Sequence, residues 1–266
     1  MSTMTLLEKL GNNYEEWGEL YGISQFMEKV SSELSENNIE KENSRLVYSV
    51  CPDDVNRLQG LNTIENALTN KYNSEFHLGG LGAYPMGGVS GIIAASHHPP
   101  DRIVKGERKG GNLIFFISPH MGAIETESYL YGKIIRPGQE KVTNSCGAMM
   151  GFLDALEGAG TLENFEVASD PNNVDPTRVV LHTELINNYE DWLSKILQMD
   201  DPNEQVVDLF KLNYDLVIKK TDKMIKEFLE LEGDHFEGNI AVIGGITVNT
   251  TSGDHFILKE MKFPNS

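Results

Sequence analysis

A chain of 266 residues can bury a large hydrophobic core without disulfide staples, and its 39% apolar and 23% charged residues are those of an ordinary globular protein. Its formal charge of −18 argues against nucleic acid or anionic membrane as a partner, because phosphate groups bind basic surfaces. No run is apolar enough to span a bilayer. The opening MSTMTLLEKLGNNYEEWGEL, with four glutamates and no basic n-region, has the pattern of neither a secretory signal nor a transit peptide.

In chain order, residues from Thr5 to Leu34 read as helical, with Leu6, Leu10, Leu20, Phe26, Met27 and Val30 spaced among acidic residues. A polar connector, SENNIEKENS, leads to the strand Leu46–Val50, which ends at Cys51 and the segment CPDDVNR. A short helix is predicted over Leu61–Tyr72. The glycine-rich HLGGLGAYPMGGVSG follows and runs into Ile92–Ala95, stopping at His97-His98-Pro99-Pro100. It has neither GK[ST] nor GxGxxG spacing, so its glycines suit a close backbone approach better than a nucleotide phosphate. A charged loop, Asp101–Gly111, precedes a second strand, Leu113–Ile117, that ends at Pro119-His120. Cys146 opens a helix over Gly147–Leu156.

Beyond Gly160, Asp175-Pro176 and Asp201-Pro202 each supply a cap and a first-turn proline, the second with Glu204 placed for a capping box. The faces that follow (Val179, Ile186, Tyr189, Leu193, Ile196, then Val206, Phe210, Tyr214, Val217, Met224, Phe228) read as core-packing. The chain closes with Ile240–Thr250 and His255–Phe263, a β-hairpin about TSGD. The predicted organisation is a single α/β domain. It comprises a helical N-terminal arm (1–43), a core carrying the chemistry (44–160), and helices and a hairpin completing the domain (161–266).

Both cysteines and one histidine sit at ends of predicted elements. Open α/β sheets place ligand sites at the carboxyl ends of their strands, where Cys51 and His120 fall, and a helix N-terminus favours the thiolate of Cys146. Two thiolates and an imidazole can hold Zn²⁺ with one tetrahedral position open. Such zinc lowers the pKa of bound water from ~15.7 toward ~7 and makes a hydroxide nucleophile. Two inert buried thiols are the competing reading. Asp53 lies two residues past Cys51 and can accept a hydrogen bond from such a water; Arg57 can hold Asp53 ionised through a bidentate pair. The bland alternative is a surface turn with an incidental ion pair. His97 and His98 could relay protons or cap helix carbonyls. Tyr84 and Met86 could line an apolar pocket for a small neutral gas, or simply pack in the core. His182 falls on an apolar helix face and reads as core, while His77, His235 and His255 have no chemical company in sequence.

Taken together and in order, CPDDVNR, HLGGLGAYPMGG, HHPPD, GGNLIFFISPHMG, GKIIRPGQ and SCGA resemble the limiting-carbon-dioxide-inducible B family, which is similar to β-carbonic anhydrases in fold and metal site. The motifs span roughly residues 44–155, with a weaker echo at GGITVNT. The resemblance implies a central, mainly parallel β-sheet flanked by helices and assembled as a homodimer. It implies zinc held by Cys51, His120 and Cys146, with Asp53 and Arg57 as a catalytic dyad. The implied function is reversible hydration of carbon dioxide to bicarbonate in a reducing compartment, either the cytoplasm or an organellar stroma or matrix if a transit peptide was trimmed. The alternative is an inactive family member acting as an inorganic-carbon-binding or scaffolding oligomer. The sequence departs from ordinary β-carbonic anhydrases in the four-residue Asp53–Arg57 spacing and in the wide separation of His120 from Cys146. A zinc deaminase or hydrolase is disfavoured, since HExxH and the H-x-E with C-x-x-C pattern are both absent.

Overall fold

A computed structural model describes residues 5–57, 62–72, 74–125, 129–167 and 175–265. Its centre is a sheet whose inner strands are buried on both faces, which is why they read as unbroken apolar runs. The strands in chain order are β1 (Glu19–Gly22), β2 (Ser44–Val50), β3 (Glu75–His77), β4 (Arg102–Val104), β5 (Glu107–Lys109), β6 (Asn112–Ser118), β7 (His120–Glu125), β8 (Tyr129–Tyr131), β9 (Lys133–Ile135), β10 (Val142–Asn144), β11 (Ile240–Thr250) and β12 (Gly253–Lys262). The main sheet runs β1-β12-β11-β6-β2-β3, parallel from β11 to β3 and antiparallel at β12 and β1.

The long strand β11 is the spine of this sheet. Its first half pairs with β6 and its second half with β7, in one continuous register (Gly244↔Ile117, then Thr247↔His120). Pro119, which has no N–H to donate, interrupts the neighbouring chain between the two stretches. Its carbonyl still accepts from the Thr247 N–H at 3.0 Å.

Eight α-helices are found among the described residues: α1 (Leu6–Tyr14), α2 (Ile23–Glu36), α3 (Ile64–Lys71), α4 (Gly88–Ser96), α5 (Gly147–Ala159), α6 (Pro176–Asn188), α7 (Glu190–Leu197) and α8 (Pro202–Glu232). Strand alternation divides the core between the two faces. Val47, Leu113, Phe115, Ile117, Val242 and Ile246 pack with residues of α1 and α4–α8. Leu46, Tyr48, Ile114, Phe116, Ala241 and Ile243 pack with α2 and α3. The result is a helix–sheet–helix sandwich with a C-terminal hairpin, the mainly parallel α/β architecture expected from the sequence.

Two predicted helices are divided. The Thr5–Leu34 stretch contains β1, which pairs antiparallel with β12 (Glu19↔Leu258). Gly18 makes this possible, because a Cβ there would lie 2.7 Å from the Leu258 carbonyl oxygen. The helix predicted after Asp175 breaks at Tyr189, whose φ of −136° leaves the helical region while its hydroxyl donates to Asp215. The helix predicted over Leu61–Tyr72 is α3, with Leu61 outside the described residues and Thr63 capping the first turn.

Candidate metal centre

The carboxyl ends of β2 and β6 converge on the start of α5. Cys51 directly follows β2, His120 opens β7 just past β6, and Cys146 occupies the N-cap of α5. The three ligand atoms all lie within 4.8 Å of one another, and the two sulfurs are 3.5 Å apart. All three residues are buried, at 3%, 1% and 0% exposure. His120 Nε2 is buried with no hydrogen-bond partner, while Nδ1 sits 2.7 Å from Asn249 Oδ1. A buried imidazole nitrogen left bare beside two thiols is costly unless something fills the space between them. This donor set suits a thiophilic, imidazole-binding divalent cation with three protein ligands.

The thiols do not titrate alike. The hydrogen bond between the two thiols pushes Cys51 down against the effect of burial, helped by His120 and by the Gly82 backbone amide. Cys146, fully buried, is pushed up. A proton shared between the two sulfurs is one that a metal must displace. Gly82 reaches this position with φ +60°, a left-handed conformation that glycine adopts freely. The glycine-rich segment is thus a close wall of the site, as its composition suggested.

Asp53 lies at the edge of the cluster, with Oδ2 3.8 Å from His120 Nε2 and a side chain 12% exposed. Burial raises its pKa, but His120, Asp54, the Val55 amide and Arg136 together hold it below the usual carboxylate range. The cation on Asp53 is Arg136, with Nη2 donating to Oδ1 at 2.8 Å and Nε to Asp54 at 2.9 Å. Arg136 Nη1 also donates to Thr143 Oγ1 at 2.6 Å and to the Asn144 carbonyl, so it ties the Cys51 loop to the Cys146 loop.

The expected Asp53–Arg57 pair does not form. Residues 54–57 form a 3₁₀ turn that carries Arg57 outward, where it bonds the buried Glu65 carboxylate and the Tyr48 hydroxyl. His97 and His98 are exposed past the end of α4, and Pro100 packs against Gly111 at the start of β6. They therefore lie at the end of the sheet opposite the ligands, which removes the basis for a proton relay through them. Tyr84 donates from its hydroxyl to Glu184 at 3.1 Å, beside Lys220, and Met86 is 40% exposed. Neither is gathered with the ligands. Two residues at the site, Arg136 and Asn249, went unread in the sequence. Their signals were an arginine immediately before a Pro-Gly turn and a lone asparagine between Thr247 and Thr250 at the end of a mostly apolar strand.

Fold and site together define a β-carbonic-anhydrase-like α/β protein with a candidate Cys-His-Cys metal centre. The chain belongs to the family described as limiting CO2-inducible proteins B/C beta carbonic anhydrases, whose profile matches residues 20–264. Among solved structures it is similar to PtLCIB4, a homolog of the limiting CO2-inducible protein LCIB, at 24% identity and TM-score 0.71, covering 96% of this chain and 94% of that one. It is also similar to LCIB itself, at 16% identity and TM-score 0.64, covering 92% and 94%. These likenesses establish the fold. No curated protein sequence matches the chain.

Proposed function

We propose that the chain is a zinc-dependent carbonic anhydrase that interconverts carbon dioxide and bicarbonate. The observation that carries this reading is the bare His120 Nε2, buried within 4.8 Å of two cysteine sulfurs. Cys51, His120 and Cys146 would hold the ion, leaving one position of a tetrahedron for a small ligand. Bound there, zinc supplies the Lewis acidity that makes water a nucleophile near neutral pH. The protein's own groups supply the rest. Arg136 holds Asp53 through Oδ1 and keeps it ionised, leaving Oδ2 on the His120 side to accept a hydrogen bond or take up a proton. Buried ligands exclude bulk water, and Asp53 marks the wetter edge by which a small neutral molecule would enter. Family membership supports the same reading.

A second reading rests on the same carboxylate. Asp53 Oδ2, 3.8 Å from His120 Nε2, is near enough to complete a closed four-ligand site, and the chain would then bind inorganic carbon or scaffold partners without turnover. The two readings separate cleanly in experiment. The enzyme reading expects about one zinc per chain and a stopped-flow hydration rate that rises between pH 6 and 9, with Cys146→Ser losing both metal and activity. Activity that survives complete metal removal rules it out. A zinc-loaded protein giving only the buffer rate across that range supports the second reading.

A further inference from the structure

We propose that Asn249 is a positioning residue that decides which nitrogen of His120 is offered to the metal. This deepens the metal-centre reading above and rests on it. Asn249 is 1% exposed, near the end of β11, and every polar atom of its side chain is engaged. Its Nδ2 lies 3.0 Å from Asp254 Oδ1 and 3.2 Å from Asn56 Oδ1. Both of those are acceptors held in place from elsewhere. Asp254 Oδ2 accepts the Ile64 N–H at 3.0 Å, and Asn56 donates its own Nδ2 to the Cys51 carbonyl at 3.0 Å, so its oxygen must face Asn249.

A flipped Asn249 amide would set its oxygen against a carboxylate and a carbonyl, so the flip is closed. Oδ1 is therefore the atom turned to His120, and an acceptor 2.7 Å from Nδ1 requires that Nδ1 carry the hydrogen. Ser145 Oγ lies 3.4 Å from Nδ1 as well, but its hydrogen goes to Asn249 Oδ1 at 3.3 Å, so it has none to give the ring and is consistent with Nδ1 as the donor. Nε2 is then the nitrogen left to face the two sulfurs. The relay Asp254–Asn249–His120 does the work that a carboxylate often does directly for a metal-bound histidine. Through Asn56 it closes back on the residue that bears the first thiol.

The experiment uses the full chain with Asn249→Ala and with the paired exchange Asn249→Asp/Asp254→Asn, in which the carboxylate at 249 still accepts from Nδ1–H and the amide at 254 donates back to it. Histidine-ring ¹⁵N NMR of the metal-free protein should show a slowly exchanging His120 Nδ1–H in the wild type and in the paired exchange, and none in Asn249→Ala. Zinc affinity per folded chain, by chelator competition, should fall about 10–100-fold in Asn249→Ala and return to within about tenfold of wild type in the paired exchange. A protected Nδ1–H or an unchanged zinc affinity in Asn249→Ala overturns the proposal, because a merely structural asparagine would move only the melting temperature. Should the alanine variant fail to fold, Asn249→Ser, too short to reach the ring, takes its place with the same criteria. If the wild type takes up no zinc, the carbonic anhydrase reading falls, and the ring-proton measurement alone decides this one.

Discussion

Asp53 takes its cation from 83 positions away and ignores the arginine four residues along. The reason is local geometry: a 3₁₀ turn reverses the chain after Asp54, so Arg57 leaves on the side of Glu65 while Asp53 turns inward. Arg136→Ala should therefore lower carbon dioxide hydration about 10–100-fold, as supporting residues at metal sites commonly do, while zinc content stays near one per chain. Arg57→Ala should instead lower the melting temperature, since it strands a buried carboxylate, and leave hydration close to wild type. The reverse pattern would restore the sequence-based dyad. A second expectation concerns protons. Burial lowers the pKa of His120, but Cys51 and Asp53 outweigh it and raise it, and Cys146 is raised as well. Metal must displace those protons, so zinc affinity should rise with pH from 5 to 8, and calorimetry in buffers of different ionisation enthalpy should detect proton release. Cys51, pushed down by its hydrogen bond with Cys146, should contribute least to that slope. Cys51, His120 and Cys146 were legible because thiols and an imidazole at element ends are a chemical pattern. Arg136 and Asn249 were not, because their meaning lies in what tertiary folding brings beside them.

Among the elements, the apolar runs of β2, β6 and β11 and the Asp-Pro helix starts at Pro176 and Pro202 were readable, since each is written in adjacent residues. What escaped was the strand β1 within a helical periodicity. Leu20 satisfies both patterns, and only the approach of Gly18 to β12 decides between them. The glycine wall carries a comparable constraint beside the site. A Cβ on Gly79 would lie 2.5 Å from the Val50 carbonyl oxygen and 3.0 Å from the Ser49 carbonyl carbon, both backbone atoms of β2. Gly79→Ala should cost about 1–3 kcal/mol of stability by overpacking and should weaken zinc binding, because Val50 directly precedes Cys51. Equilibrium denaturation with parallel zinc titration would check both. Gly88→Ala, which meets nothing within 4 Å, is a control for steric crowding but still carries the strain of φ +62°.

Across the whole molecule, a sheet buried on both faces leaves a few acidic groups in the interior despite the chain's abundance of surface carboxylates. Burial raises Asp254 to about 6, against the lowering effect of the Asn249 and Ile64 amides. Between pH 4 and 6 the native state then holds a proton that the unfolded chain has released, so Asp254's contribution to stability falls as pH rises through that window. Asp254→Asn abolishes this dependence. Its stability relative to wild type should thus improve from pH 4 to pH 7, by at most about 3 kcal/mol. A difference that is flat or shrinks with pH would show Asp254 to be ionised throughout.

The placement of β11 between β6 and β12 has a consequence for biosynthesis. A ribosome delivers both thiols and the imidazole long before it makes the strand that joins the two halves of the sheet and brings Asn249 to His120. Until then, the growing polypeptide exposes soft ligands on an open edge with nothing to orient the ring. Any metal loading that needs an oriented ring thus has to wait for β11, and a cation captured sooner meets a site not yet shaped to choose among metals.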